Sequence, residues 1–287
     1  MISIITAVHD GLPVNRIFQE NLARFTRNPF ELIIIDNASR DGSGAFFAAA
    51  GARVITNDRN FSYPHSQNQG IDAARFDLLC FLNNDTVVSP GWDERLIASM
   101  THHGLDLVSA CGVEHLETEA ATRSYSRKWK RVKNLLSVLG TGTAGLKSMH
   151  RMMYGDWETF CENRYQEHRL EVIEGIVGNN VMVTRRGIRM LGPWDERIQG
   201  ADFDLFMRAK KRSVEKGDIR ACHIALDVFI HHYIRLTVNR VGRKPAFADA
   251  DRMIPLEEKW SDSERMLLHP DRASRVLQQQ LNHQSHE

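Results

Sequence analysis

An open α/β sheet is the fold class that this sequence predicts, and two observations carry the prediction. Through the first half of the chain, apolar β-branched runs alternate strictly with segments of helical period, the pattern of parallel βαβ units whose helices cover both sheet faces. Three of the apolar runs end in polar groups: Thr6-Ala7-Val8-His9-Asp10, Asp36-Asn37 and Asn83-Asn84-Asp85. In sheets of this kind ligands bind outside the carboxyl ends of the strands, so these ends are the expected site.

Taken in order, Ser3–Val8 is a β-branched run and Val14–Phe25 has helical spacing. Glu31–Asp36 is a second strand, and Asp41–Ala50 a short helix that Ser39 or Asp41 can cap. Arg53–Thr56 reads as a strand, Pro64–Ala74 as a helix, Leu78–Leu82 as a buried strand, Gly91–Met100 as a helix and Leu107–Cys111 as a strand. The run "CFLNNDTVVSP" poses the sharpest question, because two amides and a carboxylate finish a core strand. Such groups cost several kcal/mol to bury unpaired. After Glu171, strand-like Val181–Val183, helix-like Phe203–Lys211 and strand-like Val228–His231 follow.

Between these halves, no acidic residue occurs from Glu119 to Asp156. There "RSYSRKWKRVKNLLSVL" sets Trp129, Val132, Leu135, Leu136 and Leu139 on one helical stripe, with Arg127, Lys128, Lys130, Arg131 and Lys133 around it. Such a helix suits a membrane surface or an anionic ligand; it equally suits a solvated insertion docked by its stripe. From Val238 the chain is polar, with Pro245, Pro255 and Pro270, and reads as a peripheral helical tail ending in "QQQLNHQSHE".

Bulk properties exclude several classes. The 287 residues are 42% hydrophobic and 25% charged, ordinary for a globular protein, and the net charge of +1 confines any basic surface to a local patch. Near-zero charge and little aromatic interleaving beyond Tyr125 and Trp129 argue against nucleic acid. No basic leader precedes the first apolar run, and no run approaches the roughly 20 residues of a membrane helix. Cys80, Cys111, Cys161 and Cys222 form no CxxC pair and read as reduced core residues of a cytoplasmic chain. "GTGTAG" (140–145) matches G-x-G-x-x-G, but it follows a basic helix rather than a strand, and the first strand leads into "VHDGLP". The fingerprint needs a strand before it and a helix after it, so these glycines are expected to form a loop.

The segments "ISIITAVHDG", "ELIIIDNASRDGSG", "NDRNFSYPHSQNQGIDAA", "LLCFLNNDTVVSPGW", "GNNVMVTRRGIRMLGPWDERIQGADFDLFMRAKK" and "VFIHHYIRLT" resemble, in order, the family 2 glycosyltransferases of the GT-A fold. The resemblance runs from Ile2 to Thr237 outside the basic insertion. It implies a Rossmann-like central mixed sheet flanked by helices: a GT-A domain over 1–237 with a nucleotide-sugar half (1–112) and an acceptor half (171–237). Composition sets the basic helical insertion (113–170) between these halves and the C-terminal helical extension (238–287) after them. It also implies inverting transfer of a sugar from a UDP, dTDP or GDP donor to the hydroxyl of a glycan or lipid-linked acceptor, with Mn²⁺ or Mg²⁺ as cofactor, in synthesis of a bacterial surface polysaccharide or glycoconjugate. The cysteines and the basic helix, read by themselves, give the expected location: cytoplasmic, with peripheral contact to the inner face of the membrane.

Carried over residue by residue, the resemblance gives donor contacts to Thr6, Ala7, Asp36, Asn60, Asn68, Asn83 and Asn84. A carboxylate such as Asp36 can accept from a base imide or ribose hydroxyls; its alternative is to cap the following turn. Asp85, in the DXD-like element, is the expected metal ligand. His231 or His232 supplies a second, and since strand side chains alternate only one can face the cleft; His231 is favoured by its place in the motif. Asp202 is the expected catalytic base, and Trp194, Asp195, Glu196 and Asp204 are expected on the acceptor side, with a buried core role the alternative for Trp194. Two departures stand out: Gln67 where a basic residue is common, and Ala201 where the family has glutamate. The second leaves a non-catalytic sugar-nucleotide-binding relative as one rival reading, and a membrane-docking scaffold built on the basic helix as another.

Overall fold

The computed structural model describes residues 1–136, 140–234 and 247–268. Its first half runs β1 (Ile2–Val8), α1 (Leu12–Phe25), β2 (Phe30–Asn37), α2 (Ser43–Ala49), β3 (Arg53–Asn57), α3 (Tyr63–Ala73), β4 (Leu78–Leu82), β5 (Thr86–Val87), α4 (Trp92–His103) and β6 (Leu107–Cys111). Helices α5 (Glu119–Leu136), α6 (Thr143–Tyr154) and α7 (Trp157–Glu167) follow. Then come β7 (Val172–Glu174), β8 (Asn180–Thr184), α8 (Arg185–Leu191), α9 (Ala201–Lys216), β9 (His223–Phe229), β10 (His231–His232), α10 (Leu256–Lys259) and α11 (Asp262–Leu268).

Eight strands form one mixed sheet in the order β3-β2-β1-β4-β8-β6-β9-β7. The first four are parallel, β8 runs antiparallel to both β4 and β6, and β7 closes the far edge antiparallel to β9. Because β1 pairs with β2 on one side and β4 on the other, their carboxyl ends meet at a topological switch point. Adjacent residues of β2 serve opposite faces: Leu32 and Ile34 join one core with α1, while Ile33 and Ile35 join the other with α9. Burial on both faces explains why the strand is a continuous apolar run.

The basic insertion does not stand apart from this core. Trp129 and Val132 of α5, Leu146 and Met149 of α6 and Trp157 and Cys161 of α7 are buried in one cluster with residues of β1, β4 and β9. The expected stripe is shorter than the sequence suggests: Leu136 is half-buried, Leu135 is 63% exposed and Leu139 lies outside the described residues. Gly140–Gly142 precede α6 as the sequence predicts, but Gly145 sits within that helix. The polar tail is described only to residue 268, so Pro270 and the final segment lie outside it, as does Pro245. All four cysteines are buried and unpaired.

One strand departs from expectation in a way that shapes the site. Val228–His231 is not a single strand. β9 ends at Phe229, the Ile230 amide donates to the Cys111 carbonyl, and the next two residues leave the sheet to form a ribbon with β5. In that ribbon His231 pairs with Val87 and His232 with Thr86.

Candidate active site

The turn Asn83-Asn84-Asp85 is built by bonds that leave one carboxylate free to serve the ribbon. The Asn83 amide donates to the Asn179 carbonyl (2.9 Å), and Thr86 Oγ1 donates back to the Asn83 carbonyl (2.8 Å). Tyr233 N–H holds the Asp85 carbonyl at 2.9 Å. The side chain of Asp85 then lies 3.1 Å from His232 Nε2.

His232 is held from both ends. Its Nδ1 meets Glu114 Oε1, which also accepts from Asn179 Nδ2 at 2.9 Å. Burial opposes protonation of this ring, but the two carboxylates outweigh it and raise its pKa to about 10. His231 is corrected by the same geometry. Its ring is fully buried against Trp129, His150 and Tyr154, with Nδ1 2.9 Å from the Tyr154 hydroxyl, and burial drives its pKa well below the ordinary value. Alternation along the ribbon puts one histidine in the core and the next beside Asp85.

His232 shares a cavity of about 360 Å³ with Tyr63, Asn83, Glu114, Gly178, Asn179, Gln199 and Asp202. Asp202 occupies the first turn of α9. Burial raises its pKa, while backbone N–H groups at the helix start pull the other way. Its carboxylate rests on Gly178: a Cβ there would fall 1.9 Å from Asp202 Oδ2. The cavity is therefore lined by one weakly acidic carboxyl group, Asp202, and by the His232 ring with Glu114, while Asp85 contacts that ring.

The remaining candidates divide. Thr6 Oγ1 is buried at the end of β1 without a hydrogen-bond partner among the described residues, and Ala7 beside it is half-buried. Asp36 is 5% exposed; one oxygen accepts the Ser39 amide at 3.0 Å, the turn-capping role, and the other lies where a Cβ on Gly44 would be 2.2 Å away. Asn60 is half-buried and its carbonyl receives the Ala248 amide.

Several expected contacts are braces instead. The Asn84 amide donates to Asn15 Oδ1 of α1 (2.6 Å). That of Asn68 is consumed by the Trp194 backbone and Glu196. Trp194 is 2% exposed, edge-on to Tyr63 and Phe81, so it offers no stacking face. Asp195 is gripped by Arg197 and Lys259, and these bonds hold its carboxyl well below the usual range. Glu196 takes His65 and Asn68. Asp204, fully buried, binds Arg208, Lys259 and the Trp260 indole. Each sits in a tertiary knot that local spacing does not reveal.

Sequence reasoning missed Glu114, Asn179, Gly178 and Gln199. A lone acid just after β6 and the "GNN" before β8 were the available signals.

Residues fit for a divalent cation are those around His232. The donor set is one carboxylate oxygen and, once the ion displaces the Nε2 proton of the ring, one imidazole nitrogen, with Glu114 on the far ring nitrogen in the manner of a ligand-orienting partner. Among the described residues no group of three or more His, Cys, Asp or Glu is arranged to hold a metal by itself. Ions that bind nucleotides take only one or two protein ligands beside substrate phosphates, so the pair is compatible with such an ion.

Comparison with known sequences decides the family. The model of glycosyl transferase family 2 matches residues 3–156. The chain belongs to that family. This family 2 chain is 29% identical over 241 residues to the O-antigen biosynthesis protein RfbC of Myxococcus xanthus, covering 80% of the chain and 17% of RfbC. It is 28% identical over 116 residues to the glycosyltransferase EpsJ of Bacillus subtilis (strain 168), covering 39% of the chain and 33% of EpsJ. The chain thus spans a third or less of these relatives' lengths.

Among solved structures, the family 2 chain resembles GalNAc-T7 with UDP, GalNAc and Mn²⁺ (TM-score 0.57, 13% identity, 95% of this chain and 50% of that one). It also resembles the mannosyltransferase PcManGT from Pyrobaculum calidifontis in complex with GDP-Man and Mn²⁺ (TM-score 0.52, 12% identity, 81% and 56%). The fold is GT-A.

Proposed function

We propose that this glycosyltransferase moves a sugar from a nucleoside diphosphate to an acceptor hydroxyl by single displacement, with inversion at the anomeric carbon. The observation that carries the reading is that Asp202 and His232 line one cavity, with Asp85 held against the His232 ring. The nucleotide-sugar half, 1–112, supplies Thr6, Ala7, Asp36 and Asn83, with Asn60 at its margin. The buried Thr6 hydroxyl has no partner among the described residues, so one hydrogen bond at this strand end is left unfilled. The acceptor half, 171–237, supplies Asp202.

Asp85 and His232 are the residues that would hold Mn²⁺ or Mg²⁺. When bound, such an ion supplies a Lewis acid that stabilises charge on the departing diphosphate. Glu114 keeps His232 oriented, and Asn179 keeps Glu114 in place. Asp202 takes the acceptor proton; burial suits it to this work, because a raised carboxyl pKa makes a stronger base. O-antigen synthesis in the relative RfbC supports a role in making a bacterial surface polysaccharide or other glycoconjugate.

Asp202→Asn keeps the shape and removes the base. Single-turnover transfer should fall by roughly 10²–10⁴-fold, the range for general bases, while nucleotide binding measured separately stays near wild type. In the wild type, the acid limb of kcat/KM should lie above the ordinary carboxylate range, since Asp202 must lose its proton to act. Full activity in the variant would reject Asp202. A wild type that binds donor yet transfers to neither acceptors nor water would favour the non-catalytic reading suggested by Ala201.

A further inference from the structure

Helix α5 turns two different faces to its surroundings. The inner face carries Trp129 and Val132, both buried. Trp129 packs edge-on against His231 (centroids 5.1 Å apart) and meets Tyr233 at 6.0 Å, so the helix rests directly on the ribbon that carries His232. The outer face exposes Arg123, Arg127, Lys128, Lys130 and Arg131. Arg123 is neutralised by Glu119, four residues before it. Lys128 Nζ reaches the Met153 carbonyl, which brings the end of α6, with exposed Arg151 and Met152, beside the middle of α5.

Elsewhere among the described residues many cations have a carboxylate: Arg24, Arg75, Arg95, Lys147, Arg186 and Arg212 are paired. On α5, Arg127, Lys130 and Arg131 have none within ion-pair distance among the described residues, and residues 120–155 contain no acid that could supply a local one. Two of the six large apolar side chains exposed among the described residues also lie here, Leu135 at 63% and Met152 at 47%. Unpaired cations interleaved with exposed aliphatic tips are the composition of a helix lying in a lipid headgroup region. For a protein of net charge +1 the concentration of positive charge is local to this face.

We infer that the outer face of α5, with the end of α6, docks the protein on an anionic phospholipid surface. The complementarity is of charge, and the exposed Leu135 and Met152 add shallow apolar contact. Docking by this face sets the bilayer against a helix whose other side touches the His231–His232 ribbon, so an acceptor anchored in the membrane would arrive close to the cavity. The inference does not rest on the transferase mechanism, since binding to lipid needs neither donor nor turnover.

The test is co-sedimentation of the full chain with vesicles of phosphatidylcholine alone or mixed equally with phosphatidylglycerol. Wild type should sediment with the mixed vesicles only. Binding should weaken when salt rises from about 0.1 M to about 1 M, as the screening length falls from about 10 Å to about 3 Å. Each cation near an anionic surface contributes about fivefold in partition, so the triple substitution R127S/K130S/R131S should lower partition at least tenfold. All three side chains are exposed, so the variant should fold; an unchanged Tm checks this. Equal binding to neutral vesicles, no binding to anionic ones, or a triple variant that binds like wild type would overturn the inference. So would loss of vesicle binding with inorganic pyrophosphate at millimolar level but not with an equal ionic strength of chloride, which would mark a site for a free phosphorylated ligand.

Discussion

Gly178 shows how little space separates Asp202, the proposed base, from a displaced carboxylate. A methyl group there would lie 1.9 Å from Asp202 Oδ2 and 2.5 Å from its Cγ, closer than real contacts allow. The carboxylate must swing away in Gly178→Ala, and misplacement of a reacting group by about 1 Å can cost around 10²-fold. We expect kcat to fall about 10- to 100-fold while nucleotide affinity and Tm stay near wild type. Gly200→Ala is the control, because a Cβ there meets nothing within 4 Å. If both variants turn over like wild type, the position of Asp202 does not matter to the reaction.

At the scale of the element, α9 carries two carboxylates in its first turn with opposite duties. Asp202 opens on the cavity and has no cation in contact among the described residues, whereas Asp204 is locked under the C-terminal segment by Arg208, Lys259 and Trp260. Removing one member of a buried pair typically costs about 3–5 kcal/mol. Arg208 and Lys259 keep some contact with water, at 17% and 20% exposure, which lessens the penalty. Asp204→Ala should therefore lose about 2–4 kcal/mol in urea unfolding, and the docking of α10 should suffer first. Asp202→Asn should go the other way. The folded state raises the pKa of Asp202, so its charged form opposes folding above that value, and the neutral amide removes the opposition. A marked loss of stability in Asp202→Asn, or none in Asp204→Ala, would reverse these assignments.

The whole molecule brings the ends of β1, β2 and β4 to a switch point and lays the β5–β10 ribbon beside it. A nucleotide bound there stabilises only the folded state. At a hundredfold excess over Kd the gain is about 2.7 kcal/mol, and for a chain of this size each kcal/mol raises Tm by about 2–4 °C. One of UDP, GDP or dTDP with Mn²⁺ should thus raise Tm by roughly 5–10 °C. The Mn²⁺-dependent part of that rise should vanish in Asp85→Ala and in His232→Ala. Retention of it in both variants would move the metal away from this pair.

Much of the architecture was legible from one-dimensional pattern. Leu78–Leu82 and Leu107–Cys111 are strands with the bounds that the apolar runs suggest, and α1, α3 and α9 fall where helical spacing places them. The order of the motifs marked the family, while Asp85 and Asp202 were picked out by a polar strand end and by a motif and stand as the proposed site. These features repeat over a few residues, so they survive in a sequence read without neighbours. What the chain brings together across long separations was decided only by the tertiary structure. His232 rather than His231 meets Asp85 because the chain leaves β9 at Ile230 and starts a new ribbon. Glu114, 29 residues from Asp85, arrives on the other side of that ring. Trp194 and Asp204 look like surface chemistry in the motif yet are buried, because α3 and the segment after α10 close over them. Periodicity fixes which way a side chain points on its own element, but its partner is set by strand order and packing, and those depend on contacts that no local spacing encodes.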